Sequence, residues 1–238
     1  MNTNRLFLAR LAVAALAGVA AMQAPSSAQY RFVDSPTALG ANEIIDWADF
    51  GPTGTVVPSG TTLMSSGGLD VEVDFSANGS GRRLFQGDGW SGNFEPGEPV
   101  LWTQGNGPLT LWFDGHGRRP VFGVGAQFQS NYFGPFEALF ELLDVHGNVV
   151  FGQTFLGNST ALGDGSAVFA GGTSALGNIY GVRFTGLSAV SSPNDFAVDS
   201  VALRTVNGLS VPEPAEWAAF GLLASGMATL MVRSRRRR

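Results

Sequence analysis

Between residues 69 and 75 apolar and acidic side chains alternate without exception. Leu69, Val71, Val73 and Phe75 fall on one side, and Asp70, Glu72 and Asp74 on the other. A period of two marks a strand with one face in a core and the other in water. Residues 100–113 read as two strands about a Gly-Asn-Gly-Pro turn. Further strands are predicted in 120–129, 167–171, 178–187 and 195–206, between Gly, Asn and Ser clusters. The stretch 136–155 is ambiguous, because Phe136, Leu139, Phe140 and Leu143 fall at helical spacing. Asp144-Val145-His146-Gly147 is a good tight turn, with Gly147 suited to positive φ, so we read two strands joined there. Residues 76–100, rich in Gly, Asn and Pro, read as a long surface loop and a candidate functional rim. About eight to ten short antiparallel strands and no long internal helix predict an all-β fold, an antiparallel β-sandwich of jelly-roll type.

The two ends break this pattern. Arg5 and Arg10, the apolar run 11–22 and Ser26-Ser27-Ala28 read as a secretory signal peptide over 1–28. Signal peptidase would cut after Ala28 and leave Gln29 as the new N-terminus. At the other end, the sixteen residues 217–232 carry no charge. As a helix they cover roughly 24 Å. That is short of a hydrocarbon core of about 30 Å, but arginine snorkelling and local thinning bridge such gaps. The following Arg233, Arg235, Arg236, Arg237 and Arg238 would stop the helix in the membrane and hold the C-terminus on the cytoplasmic side, placing residues before Val211 outside.

Val211-Pro212-Glu213-Pro214, then Trp217, the apolar span and the arginine cluster, resemble the PEP-CTERM sorting signal. The resemblance covers 211–238 together with the leader. It implies recognition by an exosortase, an integral membrane enzyme, and export across the inner membrane of a Gram-negative bacterium that makes exopolysaccharide and biofilm. Its destination would be the cell envelope, cell surface or extracellular matrix. The two prolines keep 211–214 extended and outside the helix, which presents backbone to a processing enzyme. Residues 29–210 remain as one ectodomain with a full core.

Charge narrows the partners of that ectodomain. Residues 29–210 hold seventeen Asp plus Glu against seven Arg, so the net charge of −5 for the whole chain conceals an acidic middle. Nucleic acid is excluded as a partner for want of a basic footprint, and anionic polysaccharide is disfavoured. The chain has no cysteine, so neither a disulfide nor a thiol nucleophile is available.

The candidate chemistry is sparse. Asp70, Glu72 and Asp74 would stand about 6.8 Å apart along one strand face, within the spacing of an inverting glycosidase. A solvated acidic face looks the same, and it does not place two carboxylates across a scissile bond; we read an exposed face. Glu137 and Glu141 would be roughly 13 Å apart, too far for that reaction. His116 and His146 sit beside glycines in predicted turns, and no Gly-x-Ser-x-Gly elbow or zinc spacing accompanies them. The expectation is a protein that is not an enzyme.

Two binding readings follow. The last strand, 194–203, resembles the closing strand of jelly-roll carbohydrate-binding modules and of exported ectodomains in the PEP-CTERM class. That resemblance implies calcium at Asp199, with Glu43, Asp46 and Asp49 as candidate partners. Glycan binding would instead need exposed aromatic platforms. Trp90, in a glycine-rich loop, is the first candidate, followed by Tyr132 and Phe133; Trp47, Trp102 and Trp112 lie in predicted strands and are assigned to the core. The pairs Arg82-Arg83 and Arg118-Arg119 are expected to form weak surface ion pairs. The combined expectation is a cell-surface or biofilm-matrix protein for adhesion or scaffolding, with a calcium-stabilised lectin-like module and a glycan-active hydrolase as alternatives.

Overall fold

A computed structural model of the chain describes residues 29–113, 119–188 and 192–206. The leader, the Pro-Glu-Pro motif and the terminal apolar run and arginines lie outside the described residues, as do His116 and Arg118. Among the described residues no helix is long and apolar enough to cross a membrane.

The protein is all-β, with two sheets packed as a sandwich. The first sheet contains β1 (Tyr30–Val33), β2 (Glu43–Ile45), β3 (Val56–Pro58), β6 (Ser80–Gln86), β7 (Gly89–Trp90), β8 (Pro99–Trp102), β10 (Val121–Ser130), β13 (Val168–Ser174), β15 (Phe196–Val198) and β16 (Val201–Thr205). The second contains β4 (Thr61–Met64), β5 (Asp70–Phe75), β9 (Leu109–Phe113), β11 (Gly134–Leu143), β12 (Val149–Ser159) and β14 (Gly181–Ser188). The first sheet runs β1-β13-β10-β15-β8-β6-β3, with β16 paired to β10 and β2; the second runs β12-β11-β14-β9-β5-β4. All ladders are antiparallel except the two-residue pairing of β6 with β7. The helix α1 (Pro36–Leu39) is a single turn, closed by the Ser35 side chain at its start and Gly40 in the left-handed region at its end.

The alternating segment 69–75 becomes β5, with Val71, Val73 and Phe75 in the core and Asp70 and Glu72 exposed. The ambiguous stretch folds as the hairpin β11–β12. Its turn is closed by Asp144, whose backbone N–H donates to Asn148 O at 2.9 Å and whose Oδ1 accepts from His146 and Asn148 amides. Gly147 adopts φ +80° there. Between the sheets Phe128 is the hub: Phe196 stacks on it at 4.5 Å, and Phe155 meets it edge-on at 5.4 Å. Each such buried side chain contributes about 1.5–3 kcal/mol from area removed from water.

Several expectations need correction. Among the described residues there are sixteen strands rather than about eight to ten, because several are only two to four residues long. Residues 76–100 are not one loop, since β6 and β7 run through them. β6 escapes the period-two test because its sheet is covered on both faces. Leu84, Trp90, Phe94, Val100, Ala167 and Ala197 form a second core on the outer side of the first sheet. Arg83 fills the other side of β6 at 2 % exposure, its guanidinium 3.5 Å from the Phe85 ring centroid, and forms no ion pair among the described residues. The segment 195–206 is two strands, broken at Asp199 and Ser200, and the strands within 100–113 belong to opposite sheets. Finally, Trp47 is in the core but begins a 3-10 turn, while Trp112 is half-buried and bonded to Asp74 rather than inside.

Candidate functional site

Trp90 and Phe133, 43 positions apart in the chain, meet in a groove of about 260 Å³. Its lining is Gly89, Trp90 and Ser91 from β7 and the residue after it, Trp102 from the end of β8, and Asn131 and Phe133 from the turn between β10 and β11. None of the six is ionisable. The Trp90 and Trp102 ring centroids lie 6.2 Å apart with their planes at 55°, so the two indoles form an angled floor and wall. Phe133, also in the lining, is 54 % exposed, and Tyr132 beside it is 38 % exposed.

The geometry of the groove is set by a buried carboxylate behind it. Asp195, 9 % exposed, accepts from the Trp102 indole N–H through Oδ1 at 2.6 Å and from the Asn131 side-chain amide through Oδ2 at 3.0 Å. The Asn131 backbone N–H also donates to Asp195 O at 2.9 Å. Two lining residues from different elements are thereby held to one anchor. Hydrogen bonds of this charge-assisted kind are the stronger class.

The segment after β7 is pinned by a second polar centre. Asn93 donates its backbone N–H to Gln129 Oε1 at 2.6 Å and its side-chain amide to Thr160 Oγ1 and Ser166 Oγ, each at 2.8 Å. Its Oδ1 accepts from Gln129 Nε2 and from the Thr160 amide. At Gly89 the backbone turns at φ +90° directly over the Leu84 side chain, where a Cβ would collide. That close approach lets Trp90 fold inward. Trp90 is accordingly 4 % exposed and is not the projecting platform that its glycine-rich context suggests. It contributes to the groove lining while filling the outer core. The open platforms are Phe133 and the half-buried Trp102, which the strand pattern assigned to the core.

The acidic candidates fall elsewhere. Asp70 and Glu72 are exposed; Asp74 is tied to Ser59 Oγ and the Gly60 N–H at 3.2 Å each and to the Trp112 indole at 3.1 Å. Glu141 pairs with Arg183 at 2.7 Å on the outer face of the second sheet, which also carries Glu137. His146 is exposed in its hairpin turn.

The four residues expected around calcium are not brought together. Glu43 is buried on β2, paired with Arg119 and accepting from Ser65 Oγ at 2.6 Å and from Thr205 Oγ1. Burial alone would raise its carboxyl, but those hydroxyls and the Arg119 charge outweigh it and hold the group below its ordinary value. Asp46 caps the 3-10 turn by accepting from the Ala48 N–H at 2.8 Å, and Asp49 is exposed. Asp199 is a strand-break anchor. Its Oδ1 accepts from the Gln127 N–H at 2.6 Å, and its carbonyl accepts from the Trp47 indole at 2.6 Å. The residue is only partly covered, yet its carboxyl lies deep enough that burial raises it well above the usual range; the Gln127 bond opposes this and the Glu98 charge adds to it. Glu98 is itself raised by burial and by Asp46 and Glu95. Among the described residues no three His, Cys, Asp or Glu side chains converge as metal ligands.

Fold and groove together define a two-sheet β-sandwich with an uncharged, aromatic-walled surface groove. No family model matches the chain, and no curated protein matches it. Among solved structures, a DUF4465 family protein from Bacteroides caccae is similar at 11 % identity, covering 69 % of this chain and 99 % of its own, with a TM-score of 0.42. A β-1,3-glucan-binding CBM6 from Bacillus halodurans is similar at 8 % identity over 63 % of this chain and 94 % of its own, with a TM-score of 0.26. An Arthrobacter globiformis isomalto-dextranase complexed with panose is similar at 12 % identity over 73 % of this chain and 32 % of its own, also at 0.26. Overlaps this loose carry no inference about ligand or activity.

Proposed function

We propose that this protein is an exported, non-catalytic cell-surface or matrix protein whose jelly-roll-like sandwich holds a neutral glycan in the groove of Trp90, Trp102 and Phe133. The observation that carries this reading is the lining itself. Two aromatic rings stand open beside an amide and a hydroxyl, Asn131 and Ser91, with no charged group among them. The apolar face of a pyranose stacks on such rings, while the amide and hydroxyl orient its hydroxyl groups. An acidic ectodomain favours a neutral glycan over an anionic one for simple Coulombic reasons. Delivery would follow the signal peptide over 1–28 and the PEP-CTERM-like tail, with the inner membrane and an exosortase as the partners of the tail. Adhesion or scaffolding in an extracellular polysaccharide matrix is the role that fits a groove with no carboxylate or histidine in its lining.

Titration of the full chain in mild detergent against soluble neutral α- and β-glucans, with alginate as an anionic control, tests this. Quenching of tryptophan fluorescence by at least one neutral glucan and not by alginate is expected. Phe133→Ala should weaken that binding about tenfold or more, near 1.4 kcal/mol, without shifting the melting temperature. Trp90→Ala is unsuitable, because removing a buried indole costs about 3–5 kcal/mol of stability. No response to any neutral glucan, or binding untouched by Phe133→Ala, overturns the reading. A melting temperature that rises with calcium and falls with chelator would point to the calcium-stabilised lectin-like module instead.

A further inference from the structure

β12 occupies one edge of the second sheet, paired on one side to β11 along its full length and to no described strand on the other. The edges of the two sheets differ in how they meet solvent. β3 is three residues long and ends in Pro58, β4 is four residues long, and β1 is four residues long and carries Arg31. Short length, proline and charge are the usual means of keeping an edge from pairing with another chain. β12 has none of them. It is eleven residues, VVFGQTFLGNS, with no proline and no charged side chain. Its exposed positions, Val149, Gly152, Gln153, Thr154, Leu156 and Asn158, are all uncharged, and Leu156 is 74 % exposed.

We propose that β12 pairs antiparallel with β12 of a second copy, joining two six-stranded sheets into one continuous sheet. A second copy suits this edge better than an unrelated strand for two reasons on the surface itself. An antiparallel pair of identical strands is closed by a two-fold axis, so every donor and acceptor that one edge offers is met by the other. The body of the protein is acidic, and β12, with no charged side chain, brings no like charges into contact at a seam between two copies. With the axis near Thr154, the midpoint of the strand, Gly152 of one copy faces Leu156 of the other, and the small residue leaves room for the exposed leucine. Such a dimer carries two grooves in one assembly, which multiplies attachment to a polymeric ligand. The pairing stands on β12 alone and does not require the groove to bind glycan.

Sedimentation equilibrium of the full chain in mild detergent tests the pairing. A dimer is expected, with a fraction that rises with protein concentration. Thr154→Lys combined with Leu156→Lys, both exposed positions, should weaken it at least tenfold, whereas Met64→Lys on the opposite edge should leave it unchanged. Hydrogen exchange of the unmodified chain supplies a readout independent of the variants: β12 amides should gain protection as concentration rises. A chain that is monomeric at every concentration, or a dimer indifferent to the two lysines, overturns the proposal. So does β12 protection that is already complete in the monomer, which would mean that a segment of the same chain covers the edge.

Discussion

Asp195 holds Trp102 by accepting its indole N–H at 2.6 Å, and the same carboxylate holds Asn131 at 3.0 Å from the other side. A wall and a polar contact of the groove therefore share one buried anchor that lies outside the groove. Asp195→Ala would leave both donors without a partner, at about 1–3 kcal/mol for each group that water cannot reach. Asp195→Asn keeps one acceptor oxygen and should be milder. Both variants are expected to weaken glucan binding although neither removes a lining residue. Thermal melting together with the fluorescence titration separates the stability loss from the binding loss.

Glu43 links β2 to Arg119, Ser65 and Thr205, and its carboxyl is held below its ordinary value of 4.5. A carboxyl depressed in the folded state stabilises the protein above its unfolded value, and that contribution is lost as pH falls through the folded value. Acid unfolding should therefore be steeper in the native chain than in Glu43→Gln. At pH 7 the glutamine variant should be less stable by roughly 2 kcal/mol, since Arg119 keeps some contact with water when its partner is removed. Denaturant melts at pH 7 and pH 3 measure both effects.

Asp199 and Glu98 have the opposite sign. Each is raised, chiefly by burial, so the folded state binds the proton more tightly than the unfolded chain does. Their contribution is present below the unfolded carboxylate value and is lost as pH rises through the raised value. Asp199→Asn preserves an oxygen for the Gln127 N–H but removes the charge. It should raise the melting temperature at pH 8 and change little at pH 4. Asp199→Ala should lower it at both, because the Gln127 amide then loses its side-chain acceptor. Melting curves at the two pH values distinguish these outcomes.

Legibility followed burial. β5 was readable because one face is wet: Asp70 and Glu72 mark the water side as clearly as Val71 and Val73 mark the core. The β11–β12 hairpin was readable from its turn, since Asp144 and Gly147 suit few other backbone paths. β6 was not, because Arg83 and Gln86 are buried and Gly81 lies against the Phe75 ring, so hydrophobicity along it has no period. The groove was half legible. The sequence marks Phe133 and Trp90, but its strand pattern puts Trp102 in the core, and nothing local marks Asn131. Asp195 gave no signal, since nothing local distinguishes a carboxylate that caps a turn from one that meets an indole 93 positions away.

By itself the sequence determined the all-β class, the strand at 70–75, the hairpin at 144–147 and the acidic, thiol-free character of residues 29–210. These depend on side-chain alternation, turn chemistry and composition, which act over a few residues or over the whole chain at once. Tertiary structure alone decided that Trp90 turns inward and Trp102 outward, that Glu43 meets Arg119 instead of Asp199, and that β12 ends a sheet. Each of those outcomes depends on which distant strands become neighbours. That choice is set by packing two sheets around one core, and no local pattern encodes it.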